Sequence, residues 1–310
     1  MVFMGSPEFA LPTLDRLARI ARVVGVVTQP DRPAGRGRVL TPPPVKTLAL
    51  SLGLPVIQPH RLRDPEAMQQ LREWAPDLIV VAAFGQILRP EVLNLPRYGC
   101  LNVHASLLPR WRGAAPIHAA ILAGDRSTGV TIMRMDPGID TGPILSQRET
   151  VILPADTAGS LSERLAELGA DLLAETLPDY LSGRLQARPQ PEEGATYAPM
   201  LKKEQGRLDF RRPAEELARL VRAFNPWPGA FTLWQGQPLK VHFAEARRNE
   251  ASSKPGQTAI LAGQPAVATA EGWLVLTQVQ PAGKRIMSGA EFIHGATNWG
   301  KEVLDSGEPH

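Results

Sequence analysis

The first part of the chain alternates short apolar runs with amphipathic stretches. Residues 2–4, 23–28 and 78–83 are apolar or β-branched runs of strand length, and the last is hydrophobic throughout, as expected for a strand covered on both faces. Between the first two runs, apolar residues recur at helical spacing from Leu11 to Ile20. Strands that alternate with helices predict a mostly parallel sheet with right-handed crossovers.

The same alternation continues beyond the first hundred residues. Further strands are predicted at residues 100–104, 128–135 and 144–153. A long helix follows, in which leucines recur three to four residues apart and form one apolar stripe from Leu161 to Leu172. This pattern ends near Gly183, where we expect the first domain to end.

A polar stretch then separates two regions of different kind. Residues 186–199 contain prolines and show no periodicity, which is typical of a linker. After residue 206, one helix at 213–224 is followed by short strands with glycine and proline turns, a pattern that predicts a small β-barrel. The predicted fold class is therefore α/β, with a doubly wound, mostly parallel, Rossmann-like catalytic domain at 1–185, a linker at 186–206 and a smaller OB-like β-barrel domain at 207–310.

Length and composition narrow the class of protein. A chain of 310 residues suits two domains, and a net charge of +3 carries no argument about partners. The single cysteine, Cys100, excludes an intrachain disulfide, and its apolar neighbours predict a buried side chain. No apolar run approaches the roughly 20 residues that span a bilayer, and no signal-peptide core follows Met1. A cytoplasmic protein without a membrane segment is expected.

Two common uses of an α/β sheet find no support in the sequence. The turn after the first strand has only Gly5, and Gly35 and Gly37 lie in a proline-rich loop without a third glycine, so the dinucleotide-binding fingerprint is missing. The six histidines include no pair at H-x-x-x-H spacing, and one cysteine cannot build a thiolate site. No metal centre is predicted.

Polar side chains collect where the strand at residues 100–104 ends. Asn102 and His104 are two residues apart, so they point to the same face of the strand. In an open α/β sheet, ligands bind at the carboxyl ends of the strands. A strand that turns polar only because it reaches the surface would look similar, but the rigid Leu107-Leu108-Pro109 turn that follows favours a site.

A second candidate is the loop in which Gly138 and Gly142 bracket Asp140. Glycines let a carboxylate and bare backbone approach a ligand closely, although the same residues also form ordinary turns. With Asn102 and His104, Asp140 supplies the parts of acyl transfer: an oxyanion donor, a proton shuttle and a carboxylate that orients the imidazole. Because no serine or cysteine stands in a nucleophile elbow among them, direct attack by an external amine is favoured.

These motifs resemble those of a known family. Asn102-x-His104-x-Ser-Leu-Leu-Pro109, followed by Asp-x-Gly-x-Asp140-x-Gly142, is similar to the core signature of the folate-dependent formyltransferases. Four stretches resemble the members of that family that act on methionyl-tRNA, and they span both predicted domains: residues 3–10, 28–38, 107–116 and 280–289.

The resemblance implies a role for each polar residue. Asn102 would hold the formyl oxygen in the tetrahedral intermediate, His104 would move protons between the attacking amine and the departing folate nitrogen, and Asp140 would orient His104. The co-substrate would be 10-formyltetrahydrofolate, with no metal. Its site would be formed by two loops, with Phe84, Gly85 and Ile87 in one and Ser106, Leu107, Leu108 and Pro109 in the other.

The implied acceptor is initiator methionyl-tRNA, formylated for translation initiation. The loop that starts at Gln29 carries four cationic side chains against one acid, Asp31, and such charge suits a phosphate-rich partner. The resemblance implies that this loop contacts the tRNA acceptor end, with Arg36 as the best single candidate. A second basic cluster at the linker has less weight, because charge runs are often only solvated surface. The predicted tRNA contacts are Arg32, Arg36, Arg38, Lys46, Lys202 and Lys203.

Three other functions fit part of the pattern. A formyltransferase for another amine, such as an amino sugar nucleotide, would share the catalytic residues but would not need the basic loop. A non-catalytic RNA-binding protein would not need Asn102, His104 and Asp140 together. A formyl-folate hydrolase would not require a second domain. We therefore expect a monomeric enzyme that formylates methionyl-tRNA.

Overall fold

The computed structural model describes residues 1–34, 39–248 and 253–305. It divides into two compact units, each built from several stretches of chain. The predicted domain bounds of 1–185, 186–206 and 207–310 stay a prediction, because this division follows contacts and not position along the chain. The first unit comprises Met1–Pro116, Ser127–Val151 and Ser162–Ala198, and the second comprises Ile117–Arg126, Ile152–Leu161 and Pro199–His310.

A seven-stranded sheet forms the centre of the first unit. The strands of this unit are β1 (Val2–Gly5), β2 (Gly25–Val27), β3 (Arg32–Ala34), β4 (Val39–Thr41), β5 (Val56–Ile57), β6 (Ile79–Ala82), β7 (Cys100–His104), β8 (Arg112–Gly113), β9 (Ser127–Arg134), β10 (Ile144–Val151) and β11 (Tyr197–Ala198). The order across the sheet is β10-β9-β7-β6-β1-β2-β5. The pairs from β5 to β7 are parallel, whereas β9 and β10 run antiparallel. The predicted mostly parallel sheet is confirmed.

The central strands are buried because their residues are apolar on both faces. All four residues of β1 and of β6 are buried, and Phe3 and Met4 have no exposed surface. Amphipathic helices contribute to this core through one face each, as Leu14 and Leu17 do on the first helix. The helices of this unit are α1 (Leu11–Ile20), α2 (Pro44–Ser51), α3 (Pro65–Trp74) and α4 (Pro90–Leu93). Helix α5 (Pro116–Ala123) lies almost entirely in the second unit, and α6 (Ala158–Leu181) begins in the second unit and continues in the first.

The residues at the start of α3 indicate where this helix begins, but they do not indicate the hydrogen bond that the Asp64 side chain forms. Asp64 occupies the N-cap position and Pro65 the first helical position, as the sequence indicates. The Asp64 carboxylate, however, accepts a hydrogen bond from the backbone N–H of Arg61 at 3.2 Å instead of capping the helix. Short acidic side chains often accept hydrogen bonds from nearby backbone outside a helix. Here the Asp64 carboxylate binds the turn that precedes α3 and not the first turn of the helix.

Two short strand pairs were not foreseen. In the proline-rich stretch after Gln29, β3 and β4 pair as an antiparallel hairpin, with Arg32 opposite Thr41. The residues between these strands, 35–38, lie outside the described part of the chain. Farther along, β8 pairs in parallel with β11, which lies within the predicted linker. Strands of two or three residues carry too little pattern to be read from sequence.

The second unit contains a six-stranded antiparallel sheet, so the predicted class of a smaller C-terminal β domain is confirmed. Helix α7 (Ala214–Ala223) packs against the sheet, and helix α8 (Gly289–Gly295) begins with a capping box of Ser288 and Glu291. The strands are β12 (Ala230–Trp234), β13 (Gln237–Arg247), β14 (Thr258–Leu261), β15 (Gln264–Ala268), β16 (Trp273–Pro281) and β17 (Met287–Ser288). Among the described helices of the whole chain, none combines the length and the apolar character needed to cross a membrane.

The environment of Cys100 generates a testable prediction. The thiol is buried, and desolvation raises its pKa to about 12. At pH 8 the thiolate fraction is therefore roughly a thousandfold lower than for a free cysteine with a pKa of about 8.5. We expect slow reaction with a chromogenic disulfide reagent in buffer and immediate reaction in denaturant. Rapid labelling of the native protein would contradict the buried assignment.

Candidate active site

The carboxylate of Asp140 lies close to two other predicted residues, Asn102 and His104, and to one backbone group. Its Oδ1 accepts from the side-chain amide of Asn102 at 3.4 Å, and its Oδ2 lies 3.6 Å from Nδ1 of His104. The backbone N–H of Gly113 donates to Oδ2 at 2.9 Å. The side chains of His104 and Asp140 are only 6% and 16% exposed, so little solvent screens their interaction. The structure thus brings the amide, the imidazole and the carboxylate together.

The imidazole of His104 is held from two sides. The residue ends β7, and its Nε2 lies 3.0 Å from the backbone carbonyl oxygen of Trp111. Because a carbonyl only accepts, Nε2 carries the proton in this contact, and Nδ1 faces the Asp140 carboxylate. Trp111 itself has a left-handed backbone, with φ of +60°, and its N–H donates to Thr196 Oγ1 at 2.8 Å. The ring orientation therefore depends on a backbone segment that is anchored elsewhere.

Strand β8 supplies the backbone that encloses the pair. Gly113 has φ of +110°, a region that favours glycine, and a Cβ there would lie 2.7 Å from the carbonyl oxygen of Ala198 on β11. The absence of a side chain is thus what lets β8 and β11 approach each other while the N–H of Gly113 points to Asp140.

The loop that carries Asp140 is held by hydrogen bonds within the loop and by hydrogen bonds from a residue outside it. Inside, the Asp136 carboxylate accepts from the N–H of Gly138 at 3.0 Å and from Thr141 Oγ1 at 2.8 Å. Outside, Nε2 of Gln190 donates to the carbonyl oxygens of Asp140 and Gly142, at 2.8 and 2.7 Å. Asp140 has φ of +52°, which is uncommon for a residue with a side chain. These bonds hold a conformation that would otherwise be unfavourable.

Asn102 is suited to bind an oxygen that gains negative charge. The side chain is half-buried in β7, next to His104 on the same face. Its 3.4 Å contact with Asp140 is long and uses one of the two N–H groups of the amide. The amide has a second N–H, the kind of donor that a developing oxyanion requires.

The turn predicted to line the folate site is built around Thr131 and Gln147. Thr131 Oγ1 donates to the carbonyl of Ser106 at 2.6 Å and accepts from the N–H of Leu108 at 3.1 Å. Gln147 Nε2 donates to the carbonyl of Leu108 at 2.8 Å. Ser106 and Leu108 are buried, and the Ser106 hydroxyl donates to the carbonyl of Arg110. Leu107 and Pro109 are half-buried, so these two present more surface to a ligand.

The other predicted folate loop is anchored at one end and exposed at the other. Phe84 is 2% exposed and belongs to the hydrophobic core, and its carbonyl accepts from Gln29 Nε2 at 3.0 Å. Gly85 has φ of +79° and passes close to the same Gln29 amide. The adjacent side chain of Gln86 binds the backbone of Pro59 and of Leu62. Ile87 is left 80% exposed, an unusual position for a large apolar side chain.

A cavity of about 320 Å³ opens beside this loop. Ile87 and Gln86 line it on one side, and several arginine side chains line it on the other. An apolar surface next to a concentration of guanidinium groups suits a ligand that combines an aromatic ring with carboxylates. The arginines are Arg61, Arg63, Arg72 and Arg89.

The predicted tRNA contacts have different environments. Lys46 Nζ forms an ion pair of 2.8 Å with Asp31, whose pKa is lowered by a hydrogen bond from Gln58 and by Lys46. The charge of Lys46 is therefore balanced within the chain, at the base of the β3–β4 hairpin. Arg32 is exposed on that hairpin, and Arg36 and Arg38 lie outside the described residues.

Lys202 and Lys203 are exposed in the second unit. The arginines that follow them in the basic cluster form ion pairs, and these pairs make the cluster less positive than the sequence suggests. The pairs are Arg207 with Asp305, Arg211 with Asp209 and Arg212 with Glu216. Within the described ranges, no group of three or more metal-ligating side chains is placed to hold an ion.

Sequence reasoning missed the residues that fix the site loops. Gln190 is a single glutamine in an irregular stretch, Gln147 is one of several polar residues in β10, and Trp111 and Gly113 act through their backbone. No periodicity marks such contacts. The one available signal was the Trp111-Arg112-Gly113 stretch, which belongs to the motif at 107–116.

Comparison with known proteins identifies the class. A family model described as "Formyl transferase" matches residues 2–177, and one described as "Formyl transferase, C-terminal domain" matches residues 200–297. The chain belongs to the formyl transferase family. Two solved structures share its fold at low identity. An N-formyltransferase from Helicobacter canadensis, in complex with folinic acid and dTDP-3-aminofucose, aligns with a TM-score of 0.67 and 17% identity over 90% of this chain and 98% of that one. HypX from Aquifex aeolicus, in complex with tetrahydrofolic acid, aligns with a TM-score of 0.65 and 18% identity over 96% of this chain and 47% of that one.

Relatives with higher sequence identity are formyltransferases of one kind. The chain is 54% identical to the methionyl-tRNA formyltransferase of Myxococcus xanthus, over 95% of this chain and 94% of that protein. It is 52% identical to the methionyl-tRNA formyltransferase of Halorhodospira halophila, over 95% and 96% of the two chains. The enzyme of the same name from Bacillus pumilus is 50% identical, over 96% and 94%.

Replacement of Gly113 tests the role of strand β8. In Gly113→Ala the new Cβ would meet the Ala198 carbonyl, so β8 must shift and the N–H that holds Asp140 moves with it. We expect at least a tenfold loss of formyl transfer, together with the roughly 1–2 kcal/mol that a left-handed alanine costs. Gly183→Ala is the control, because Gly183 also has positive φ but open space around it. Equal activity of the two variants would argue against the assignment.

Proposed function

We propose that this chain transfers the formyl group of 10-formyltetrahydrofolate to the amino group of initiator methionyl-tRNA. The observation that carries the proposal is the convergence of Asn102 and His104 on the half-buried carboxylate of Asp140. Relatives named for this activity match nearly the whole chain. We propose further that the protein works as a monomer in the cytoplasm, where initiator tRNA is charged and used.

The proposed chemistry needs no covalent enzyme intermediate. The acceptor amine attacks the formyl carbon, a tetrahedral intermediate forms, and the bond from that carbon to the folate nitrogen breaks. The amine loses one proton and the folate nitrogen gains one. Asn102 donates a hydrogen bond to the oxygen that becomes negative, a contribution of about 3–4 kcal/mol in comparable sites.

In this proposal His104 carries the proton between the amine and the folate nitrogen on Nε2, which exchanges the Trp111 carbonyl for the reacting groups. While the ring holds an additional proton it is positively charged, and the Asp140 carboxylate 3.6 Å from Nδ1 stabilises that charge. General acid–base catalysis of this kind typically contributes about 10²–10⁴-fold. Asp140 also fixes the direction in which the ring points, since it is itself held by Gly113.

The folate site is proposed at the two loops beside these residues. Folates combine a flat ring with a negatively charged glutamate tail. The exposed side chain of Ile87 and the arginine-lined cavity next to it match this combination of properties. Leu107 and Pro109, on the other loop, have surface left to contact the ring.

The rival acceptor is an amino sugar nucleotide. Structures of sugar N-formyltransferases share the fold, but at identities that speak only to architecture. The cationic side chains of the loop that starts at Gln29 favour a polyanionic acceptor, since a small substrate needs few phosphate contacts. The two acceptors are distinguished by direct assay.

The first experiment offers wild-type protein and 10-formyltetrahydrofolate to three acceptors: methionyl-tRNA, free methionine and a nucleotide amino sugar. We expect formylation of methionyl-tRNA only. Asn102→Ala should slow the reaction by about 10²–10³-fold and His104→Ala by about 10²–10⁴-fold, with Asp140→Ala in the same range. Gln69→Ala, on the exposed face of α3, is the control. Near-normal rates in all three active-site variants would end the mechanistic proposal.

A second experiment tests the basic hairpin. Arg32→Ala and Arg36→Ala should each raise the KM for tRNA several-fold and leave the KM for the folate unchanged, because a phosphate contact is lost. The plot of log affinity for tRNA against log salt should also flatten by about 0.9 or less per lost contact. Arg19→Ala is the matched control, since Arg19 is exposed on α1 and paired with Asp15. An unchanged salt slope in the hairpin variants would refute the assignment.

A further inference from the structure

Residues 188–198 follow the outer side of the site loops in a fixed register. At one end, Arg188 and Ile144 form a pair of backbone hydrogen bonds of 2.7 and 2.8 Å. At the other end, β11 pairs with β8, whose Gly113 holds Asp140. Both fixed points belong to the first unit. Gln190 lies between them, so its position relative to the Asp140 loop is determined by backbone pairing.

The orientation of the Gln190 amide is also determined. Its Oε1 accepts from Nε of Arg112 at 3.1 Å, and a guanidinium can only donate. The amide oxygen must therefore face Arg112, and the NH₂ group faces the carbonyls of Asp140 and Gly142. Both N–H bonds are used, one for each carbonyl. A flipped amide would place oxygen against two oxygens.

Burial of the Arg112 guanidinium costs free energy, which indicates that the orientation it gives to Gln190 matters. The side chain is 2% exposed, and its ion-pair partner Glu192 lies 3.6 Å away and is 87% exposed. A buried cation with such a solvated partner gains little from the pair and loses its own hydration. Its hydrogen bond to Gln190 is shorter, at 3.1 Å.

The two carbonyls that Gln190 binds belong to the strained residue Asp140 and to Gly142, two residues later. Asp140 has φ of +52°, and in this backbone conformation its side chain reaches Asn102, His104 and Gly113. Residues held in such conformations need surrounding contacts that specify them. Gln190 supplies two bonds to this short stretch, one on each side of Thr141.

We infer that Gln190, oriented by Arg112, is a positioning residue for formyl transfer. It does not touch the reacting atoms and acts through the backbone that aims the Asp140 carboxylate at His104. The inference rests on the proposed function, because it assigns Gln190 an effect on that reaction. A carboxylate displaced by about 1 Å would cost on the order of 10²-fold in rate, since catalytic geometry tolerates little error.

A double-mutant cycle tests this inference. Single-turnover formylation of methionyl-tRNA is measured for wild type, Gln190→Ala, Asp140→Ala and the double variant, with Gln69→Ala as a control in both backgrounds. If Gln190 acts through Asp140, Gln190→Ala lowers kcat by about 10–100-fold in the wild-type background. In the Asp140→Ala background it should cost less than about threefold, because coupled residues are not additive. The KM values for folate and tRNA stay within about twofold of wild type.

Thermal unfolding separates positioning from loss of fold. If Gln190→Ala is poorly folded, Gln190→Glu replaces it, since the side chain keeps its size and its contact with Arg112 but presents oxygen to the two carbonyls. It should lose at least as much activity with an unfolding temperature close to wild type. Gln69→Glu adds the same charge on the exposed face of α3 as its control.

The outcomes are distinguishable from a failure of the proposed function. An active wild type and a slow Asp140→Ala support that function whatever Gln190 does. The inference on Gln190 is overturned if Gln190→Ala matches the Gln69 control, if its effect is the same in both backgrounds, or if KM rises while kcat is unchanged.

Discussion

The site depends on a single half-buried carboxylate that is shared by groups from separate parts of the sheet edge. Asp140 takes a backbone N–H from Gly113 and an amide N–H from Asn102, and it faces the ring of His104. Burial removes part of the water that would bind such a carboxylate, so hydrogen-bond donors from the protein take its place. The same requirement that keeps Asp140 stable therefore fixes the relative positions of the groups proposed to act on the formyl carbon.

The side-chain amides of four glutamines hold the loops of the site through hydrogen bonds to their backbone. Gln29 binds Phe84, Gln86 binds Pro59 and Leu62, Gln147 binds Leu108, and Gln190 binds Asp140 and Gly142. An amide can donate and accept at once, so one side chain satisfies backbone groups of a loop that has no strand or helix to pair with. Loops held in this way can keep substrate-binding groups in place as a scaffold element would.

Much of the fold was readable from the sequence, and the site only in part. Alternating apolar runs predicted the sheet, because burial on both faces leaves a continuous hydrophobic signature, and the two-residue spacing of Asn102 and His104 predicted a shared face. The link between Gln190 and Asp140 was not readable, since 50 residues separate them and neither position carries a periodic pattern. A tally of cationic residues likewise could not show that Lys46 is neutralised by Asp31. Long-range pairing is decided by tertiary structure.

The register of the stretch from Arg188 to Ala198 has an evolutionary consequence. Segments without helix or long strand usually accept insertions and deletions freely, because few contacts depend on their length. Here the backbone is fixed at both ends, by Ile144 and by β8, with a functional side chain at a set distance between them. One inserted residue would move Gln190 away from its carbonyls. Length variation among homologues should therefore accumulate on either side of this stretch and spare the stretch itself.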